Sequence, residues 1–476
     1  MKKAILPIII SLAAVLLASC YFTPPAGDTS SITLTLSESA VARVVDANAD
    51  TARVYLLSEN NALLNFGDAY YFESGDFTAS NEITVEGIPS GTWKVLLSLG
   101  KYSGDAFMTL SYGGTDGTVV SPGVEAKVGI TLKEQPYNVA GNLLGKDVSG
   151  VVNISDTMYA SSGNTIYSGT AAAVLNSLSQ TISAEYTINS ISKGLFFSAT
   201  PNVFTPELWV NTDKGIVPYR GGAFNYTFHD DGVSVLKSGA LETIEATAVW
   251  DSNDKLAVFY QRPKGLGGAS IGGDQKDDPS TWSWTDLSEL EDSISDELVL
   301  DFAVHGDNGY FASTIGAFRL NKGTVEAGGS DWISEGTFFE IVEGEETLLI
   351  YAIEVDETTN VVYIGTSDGM YKASLDDEGN PVNPSRISGT EGYGFTKISV
   401  TEDYAAFLSS YDLFIYETGT GSLTPLPFYS GLPGMLTGLS WKGSVLFISG
   451  TGTDAKGNPV PLGKGGLVSI NMADLP

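Results

Sequence analysis

The sequence predicts an all-β chain: a small β-sandwich followed by a seven-bladed β-propeller. Three observations carry that expectation. Short runs alternate apolar and polar residues with a period of two, as half-buried strands do, and no helical period of useful length interrupts them. Turn residues, 54 glycines prominent among them, separate the runs. One strand pattern then recurs seven times between residues 158 and 450, at the spacing expected of sheets repeated around an axis.

The chain opens with Lys2 and Lys3, an apolar stretch from Ala4 to Leu17, and the run Leu17-Ala18-Ser19-Cys20. That layout is a secretory leader, too short for a membrane span. Cys20 is the sole cysteine, so no disulfide partner competes for its thiol. The four residues ending there resemble the bacterial lipoprotein signal. The resemblance implies cleavage before Cys20, lipid on its thiol, and acylation of the new amino terminus. Residues 1–19 are then the signal peptide and 20–31 a lipidated tether, carrying Pro24-Pro25, Gly27 and a Ser/Thr cluster. One acyl chain holds a protein on a bilayer only marginally, whereas several hold it well, so the expected location is extracytoplasmic, lipid-anchored in the cell envelope. Whether that is the outer membrane or the cell surface stays open.

Composition narrows the partners. The net charge is −32, and loss of Lys2 and Lys3 with the leader makes it more negative. Such a surface disfavours nucleic acid and anionic headgroups, which are held through Lys and Arg on phosphates. The membrane is therefore reached through lipid on Cys20, and the partner at the other end is an unidentified protein or glycan.

Residues 32–135 form the predicted sandwich. Ile32–Leu36, Ala52–Leu57, Glu82–Val85, Thr92–Leu97, Phe107–Leu110 and Ala126–Leu132 alternate as strands, and six or seven of these in about 100 residues suit two packed sheets. The segment Ile83-Thr-Val-Glu-Gly-Ile-Pro-Ser-Gly-Thr-Trp-Lys-Val95 resembles the strand, Gly-x-Pro turn and strand of transthyretin-like or carboxypeptidase-regulatory-like sandwiches. The likeness covers one expected hairpin. It implies a spacer or adhesion module.

Residues 136–476 hold the repeats. The recurring strand reads Met158–Ser162, Phe196–Thr200, Val258–Arg262, Tyr310–Thr314, Val362–Thr366, Ala406–Ser410 and Leu446–Gly450, with starts 38 to 62 residues apart. A further strand follows most copies, so each unit is one small antiparallel sheet, and radial packing of such sheets leaves only short protected edges. Pro136–Ala140 is expected to supply an outer strand to the last blade. A solenoid would also fit the repeats, and the 62-residue interval around Phe224–Phe228 leaves room for an eighth blade. Val362-Tyr-Ile-Gly-Thr-Ser-Asp-Gly-Met-Tyr-Lys-Ala373 is similar to the two-component-regulator propeller repeat, which has an aromatic-Ile-Gly-Thr strand and an Asp-Gly turn. The fifth copy matches closely; the fourth keeps Ala-Ser-Thr-Ile-Gly-Ala-Phe.

No catalytic set stands out. His229 and His305 are the two histidines, and neither has the context of a hydrolase triad or a zinc ligand set. Carboxylate pairs such as Asp376-Asp377-Glu378 suit glycoside cleavage in principle, but a chain this acidic produces them by composition. Asp277-Asp-Pro-Ser-Thr-Trp282 resembles a degenerate Asp-box of sialidase-like propellers, whose chemistry needs an arginine cluster. The repeats hold Arg220, Arg262, Arg319 and Arg386, and Arg262 and Arg319 fall at different phases of their repeats. Asp46-Ala-Asn-Ala-Asp50 copies the first ligand positions of a calcium loop without its turn glycine. No metal or cofactor is expected.

Aligning the repeats places Asn153, Asn189, Glu245, Asp301, Tyr351, Lys397 and Thr437 just ahead of the seven inner strands. Such a ring would be a concave polar site on a rigid scaffold. Ordinary solvated strand starts would give the same residues, and a slip of one position would flip their facing. The expected function is a membrane-anchored extracytoplasmic lipoprotein acting as a non-catalytic binding or scaffold module through its propeller face. The competing class is an extracytoplasmic glycan-acting hydrolase or lyase.

Overall fold

The computed structural model describes residues 29–37, 49–57, 70–73, 81–103, 106–134, 137–170, 179–183, 187–198, 203–212, 215–220, 223–224, 246–252, 255–261, 266–272, 284–286, 299–313, 316–321, 337–344, 346–356, 358–409, 412–427, 435–452 and 465–475. The leader, Cys20, Glu245, His229 and the segment 277–282 lie outside them. The chain divides into two compact units that part at Gln135. Among the described residues no helix is long and apolar enough to cross a membrane.

The first unit is two sheets over one core. Thr29–Leu36 lies between Glu82–Pro89, antiparallel, and Glu125–Ile130, parallel. The second sheet runs Tyr70–Glu73, Thr51–Leu57, Gly91–Ser103, Ala106–Val120 and Lys133–Glu134. Ile32 and Leu34 from one sheet and Val54, Val95 and Leu97 from the other share a cluster sealed from solvent. Alternation thus buries one face of each sheet, as a sandwich requires.

Two expectations change here. The first strand begins at Thr29, inside the expected tether, where Ser31 already pairs with Glu86 and Glu125. The Gly-Ile-Pro-Ser-Gly segment is no hairpin: the strand before it pairs with Thr29–Leu36 and the strand after it pairs in the other sheet. It is a corner between sheets. Gly87 and Gly91 supply the positive φ angles, +79° and +151°, and the Trp93 indole N–H donates to the Pro89 carbonyl at 3.0 Å to fix the bend.

The second unit contains, among the described residues, seven four-stranded antiparallel sheets, with strands from 150–183, 188–224, 246–286, 299–339, 350–386, 397–427 and 435–471. They are numbered here as sheets 1 to 7. The first strand of each sheet touches the first strand of the next, and that of the seventh touches that of the first. The ring is closed, as in a β-propeller. Three strands of sheet 7 come from the end of the chain and the fourth, Tyr137–Val139, from the start of the unit, pairing Val139 with Val468 and Tyr137 with Ile470. Joining the two ends of the unit in one sheet removes the edges an open array would expose.

The core sits between neighbouring sheets. Phe407 and Phe414 of sheet 6 pack with Phe395, Tyr363 and Ala352 in one such layer. Phe395 meets Phe414 edge-on at 5.1 Å and Phe407 edge-on at 6.1 Å. Each ring of this size, fully buried, stabilises by about 2–3 kcal/mol.

The second sheet corrects the repeat alignment. Phe196–Ser198 belongs to the inner strand, Ile188–Ser198, and the second strand is Val203–Thr212. An inner strand of 11 residues carries the aromatic and hydroxyl pattern expected of its neighbour. The described part of the long interval, Val203–Thr212, Gly215–Arg220 and Ala223–Phe224, completes sheet 2.

Candidate functional site

Inner strands of a closed ring wall a central channel, so what matters is where their side chains are aimed. Four of them carry an extra residue near their start, at Asn189, Leu300, Tyr351 and Thr437, where the pairing register skips one position. A bulge of this kind kinks the strand and re-aims side chains. Three of the four are residues of the expected ring, and Asp301 directly follows the fourth. The local geometry that sets these positions is thus a break in the ladder.

Asn153, Asn189, Asp301, Lys397 and Thr437 line one cavity of about 1010 Å³, walled by strands from sheets 1, 2, 4, 5, 6 and 7. Tyr351 is absent from that wall. Its ring lies over Gly394, where a Cβ would stand 3.6 Å from Tyr351 Cε2, and burial pushes its hydroxyl pKa up. Asn153 sits at the far end of its strand, Gly150–Ile154, and not ahead of it. Its Nδ2 donates to the Trp441 carbonyl at 3.0 Å, whereas the Thr437 hydroxyl donates to the Val148 carbonyl at 2.6 Å. Asn153 and Thr437 therefore occupy different levels of the channel. The repeat alignment slips by three residues at Asn153, whose strand begins at Gly150.

The charged pair of the ring is internally matched. Lys397 Nζ lies 3.1 Å from Asp301 Oδ1, and the Ile353 N–H donates to Asp301 Oδ2 at 3.2 Å. Asp301 thereby joins sheets 4, 5 and 6. Its side chain is 17% exposed, and burial raises its pKa above the ordinary carboxylate value, partly offset by Lys397 and by the Ile353 and Phe302 amides. Thr437 is committed too, since its hydroxyl also lies 3.0 Å from Ser449 Oγ.

Ser192, Lys193, Glu354, Glu402 and Trp441 of the wall were invisible to the alignment. Asn153 Oδ1 and Ser192 Oγ are buried and meet no hydrogen-bond partner among the described residues. Lys193, Glu354, Glu402 and Trp441 stand in the same wall. The Trp441 indole N–H donates to the Ser399 carbonyl at 3.0 Å, and its ring stacks on Tyr404 with centroids 6.0 Å apart. No cluster of three or more His, Cys, Asp or Glu suited to a metal occurs among the described residues.

The remaining sequence candidates fall elsewhere. His305 Nε2 is 3.0 Å from Asn360 Oδ1 at the end of its strand. Arg319 donates to Asn308, Thr337 and the Glu378 carbonyl, and Arg386 bonds Asp368 and Glu343 with Tyr371 beside it. The two arginines are on the third strand of sheet 4, Gly316–Asn321, and the fourth of sheet 5, Pro381–Arg386, and neither lines the channel cavity. Asp376 accepts from the amides of Glu378 and Asn380, which holds its pKa below the ordinary value; it closes a turn.

The sequence matches no protein-family model and no curated protein. Among solved structures it is similar to the extracellular domain of a putative one-component system from B. thetaiotaomicron, with 13% identity over 71% of this chain and a TM-score of 0.46. This chain spans 40% of the length of that one. It is also similar to the Swd1 β-propeller domain from Myceliophteria thermophila, with 12% identity, the same 71% of this chain, all of that chain and a TM-score of 0.46. Likeness this distant says nothing about function. The propeller architecture stands on the strand pairing itself.

Proposed function

We propose that this chain is a lipid-anchored extracytoplasmic protein whose propeller channel is a non-catalytic binding or scaffold face. The observation that carries this reading is a cavity of about 1010 Å³ to which six sheets contribute polar side chains. Cavities near this size accommodate small ligands or the tip of a larger one, and a wall assembled from separate rigid strands keeps its groups in place before the ligand arrives. The charged groups nearest one another, Asp301 and Lys397, neutralise each other, which favours holding a ligand over transferring protons to it. The leader and Cys20 support the address, and the strongly acidic body suits display away from anionic headgroups.

Fractionation and capture test the two halves. Cys20→Ser should release a folded body from the membrane fraction, and retention after leader cleavage contradicts the anchor. The released body should capture envelope components that Asp301→Ala/Lys397→Ala captures at least tenfold less. Unchanged capture by that variant contradicts the channel face.

A further inference from the structure

Resting on the binding reading above, we infer that the stretch of channel wall built by sheets 7, 1 and 2 is a subsite for a neutral polyhydroxylated ligand, a sugar residue. Three neighbouring sheets build it. Trp441 of sheet 7 and Asn153 of sheet 1 stand at one level, because Asn153 Nδ2 donates to the Trp441 carbonyl at 3.0 Å. Sheet 2 follows directly: Gly150 is pressed so closely on Ile191 that an added Cβ would stand 3.3 Å from its amide nitrogen, and Ser192 is the next residue. Trp441, Asn153 and Ser192 thus line one cavity on three successive sheets, with Ser192 about two residues along the channel from the level of Asn153 and Trp441.

Their bonding capacity specifies the ligand. Asn153 Oδ1 is a buried acceptor with no donor among the described residues, and Ser192 Oγ is a buried hydroxyl with neither donor nor acceptor there. Buried polar atoms left without partners cost free energy, so a molecule presenting hydroxyls to both recovers that cost on binding. Trp441 supplies the apolar component. Its N–H is already used on Ser399, its ring is backed by Tyr404, and it remains only half-buried, so it offers the cavity hydrocarbon surface and no free donor. Charge selects against anions, because Glu354, Asp356 and Glu402 line the same cavity against Lys193 and the paired Lys397. Hydroxyl donors beside an apolar ring face, without net charge, describe a pyranose.

Calorimetric titration of the full chain carrying Cys20→Ser with maltohexaose, cellohexaose, xylohexaose and mannohexaose tests this, with sialyllactose as the anionic comparison. At least one neutral hexaose is expected to bind, with affinity reduced about tenfold by Asn153→Ala or by Ser192→Ala and further by Trp441→Ala. Thr420→Ala, on an outer turn of sheet 6, should bind as the parent does. Thermal melts establish that each variant is folded, and Ser192→Ala, which removes one oxygen, guards against a general loss of structure. Binding of a hexaose undiminished in both Asn153→Ala and Ser192→Ala overturns the subsite. Failure of every neutral hexaose, while envelope proteins are still captured through the channel, overturns the sugar and leaves the binding face standing. Preferential binding of sialyllactose overturns the charge selection.

Discussion

Asp301 shows how one residue can serve the scaffold and the site together. It sits in the channel wall, yet both its oxygens are occupied, one by Lys397 and one by the Ile353 amide. Its folded pKa is raised above its ordinary value of 3.8, chiefly by burial. A carboxyl that binds its proton more tightly in the folded state contributes stability below its ordinary pKa. That contribution is lost as the pH rises through the window up to the raised value. In urea unfolding between pH 4 and pH 8, the parent should therefore lose stability relative to Asp301→Asn as the pH rises through that window. Parallel profiles would show that Asp301 titrates as it does in the unfolded chain. At the same scale lies the reach of the sequence pattern. The positions Asn189, Asp301, Lys397 and Thr437 were legible because polar residues before an apolar run mark a strand start. Tyr351 lies outside the channel wall and Asn153 lies in it three residues past the start of its strand, differences the pattern could not carry because a bulge leaves no mark in a period of two.

Single elements explain why one repeat looks more regular than the others. In Val361–Thr366 the Thr366 hydroxyl donates to the Gly369 carbonyl at 2.9 Å and accepts from the Asp368 amide at 3.2 Å, closing the turn in which Gly369 takes a φ of +100°. Gly365 has another reason: a Cβ there would meet the Phe395 carbonyl at 2.6 Å and the Ala352 Cβ at 3.2 Å. The contact is with backbone and cannot swing aside. Gly365→Ala should lower stability by about 1–3 kcal/mol in urea unfolding, as overpacking does, and an unchanged midpoint would mean that the junction of sheets 5 and 6 is looser than described. Elements shorter or longer than the repeat escaped the sequence pattern. Tyr70–Glu73 has four residues, too few for alternation to register, and Ile188–Ser198 has 11, enough to imitate two strands. The Gly-Ile-Pro-Ser-Gly corner escaped for another reason: turn chemistry dictates a reversal, but whether the two flanking strands pair is decided by the sheets around them.

Across the whole propeller, closure converts seven imperfect sheets into one wall. Each sheet buries its apolar faces only against its neighbours, and the last shares a strand with the start of the unit, so stability and channel geometry are the same property. The architecture was legible from repetition alone, including the closing strand near Tyr137. That Asn153, Ser192 and Trp441 share one wall was not, because they come together only through the closed ring and are nearly 290 residues apart in sequence at their widest. Hydrogen exchange tests the claim that this wall is the binding face. The Cys20→Ser protein would be followed by mass spectrometry with and without saturating solubilised envelope material. Slowed exchange confined to the inner-strand peptides covering 149–153, 189–193, 397–402 and 437–441 is the predicted result. Protection restricted to outer strands, or none anywhere, would contradict it.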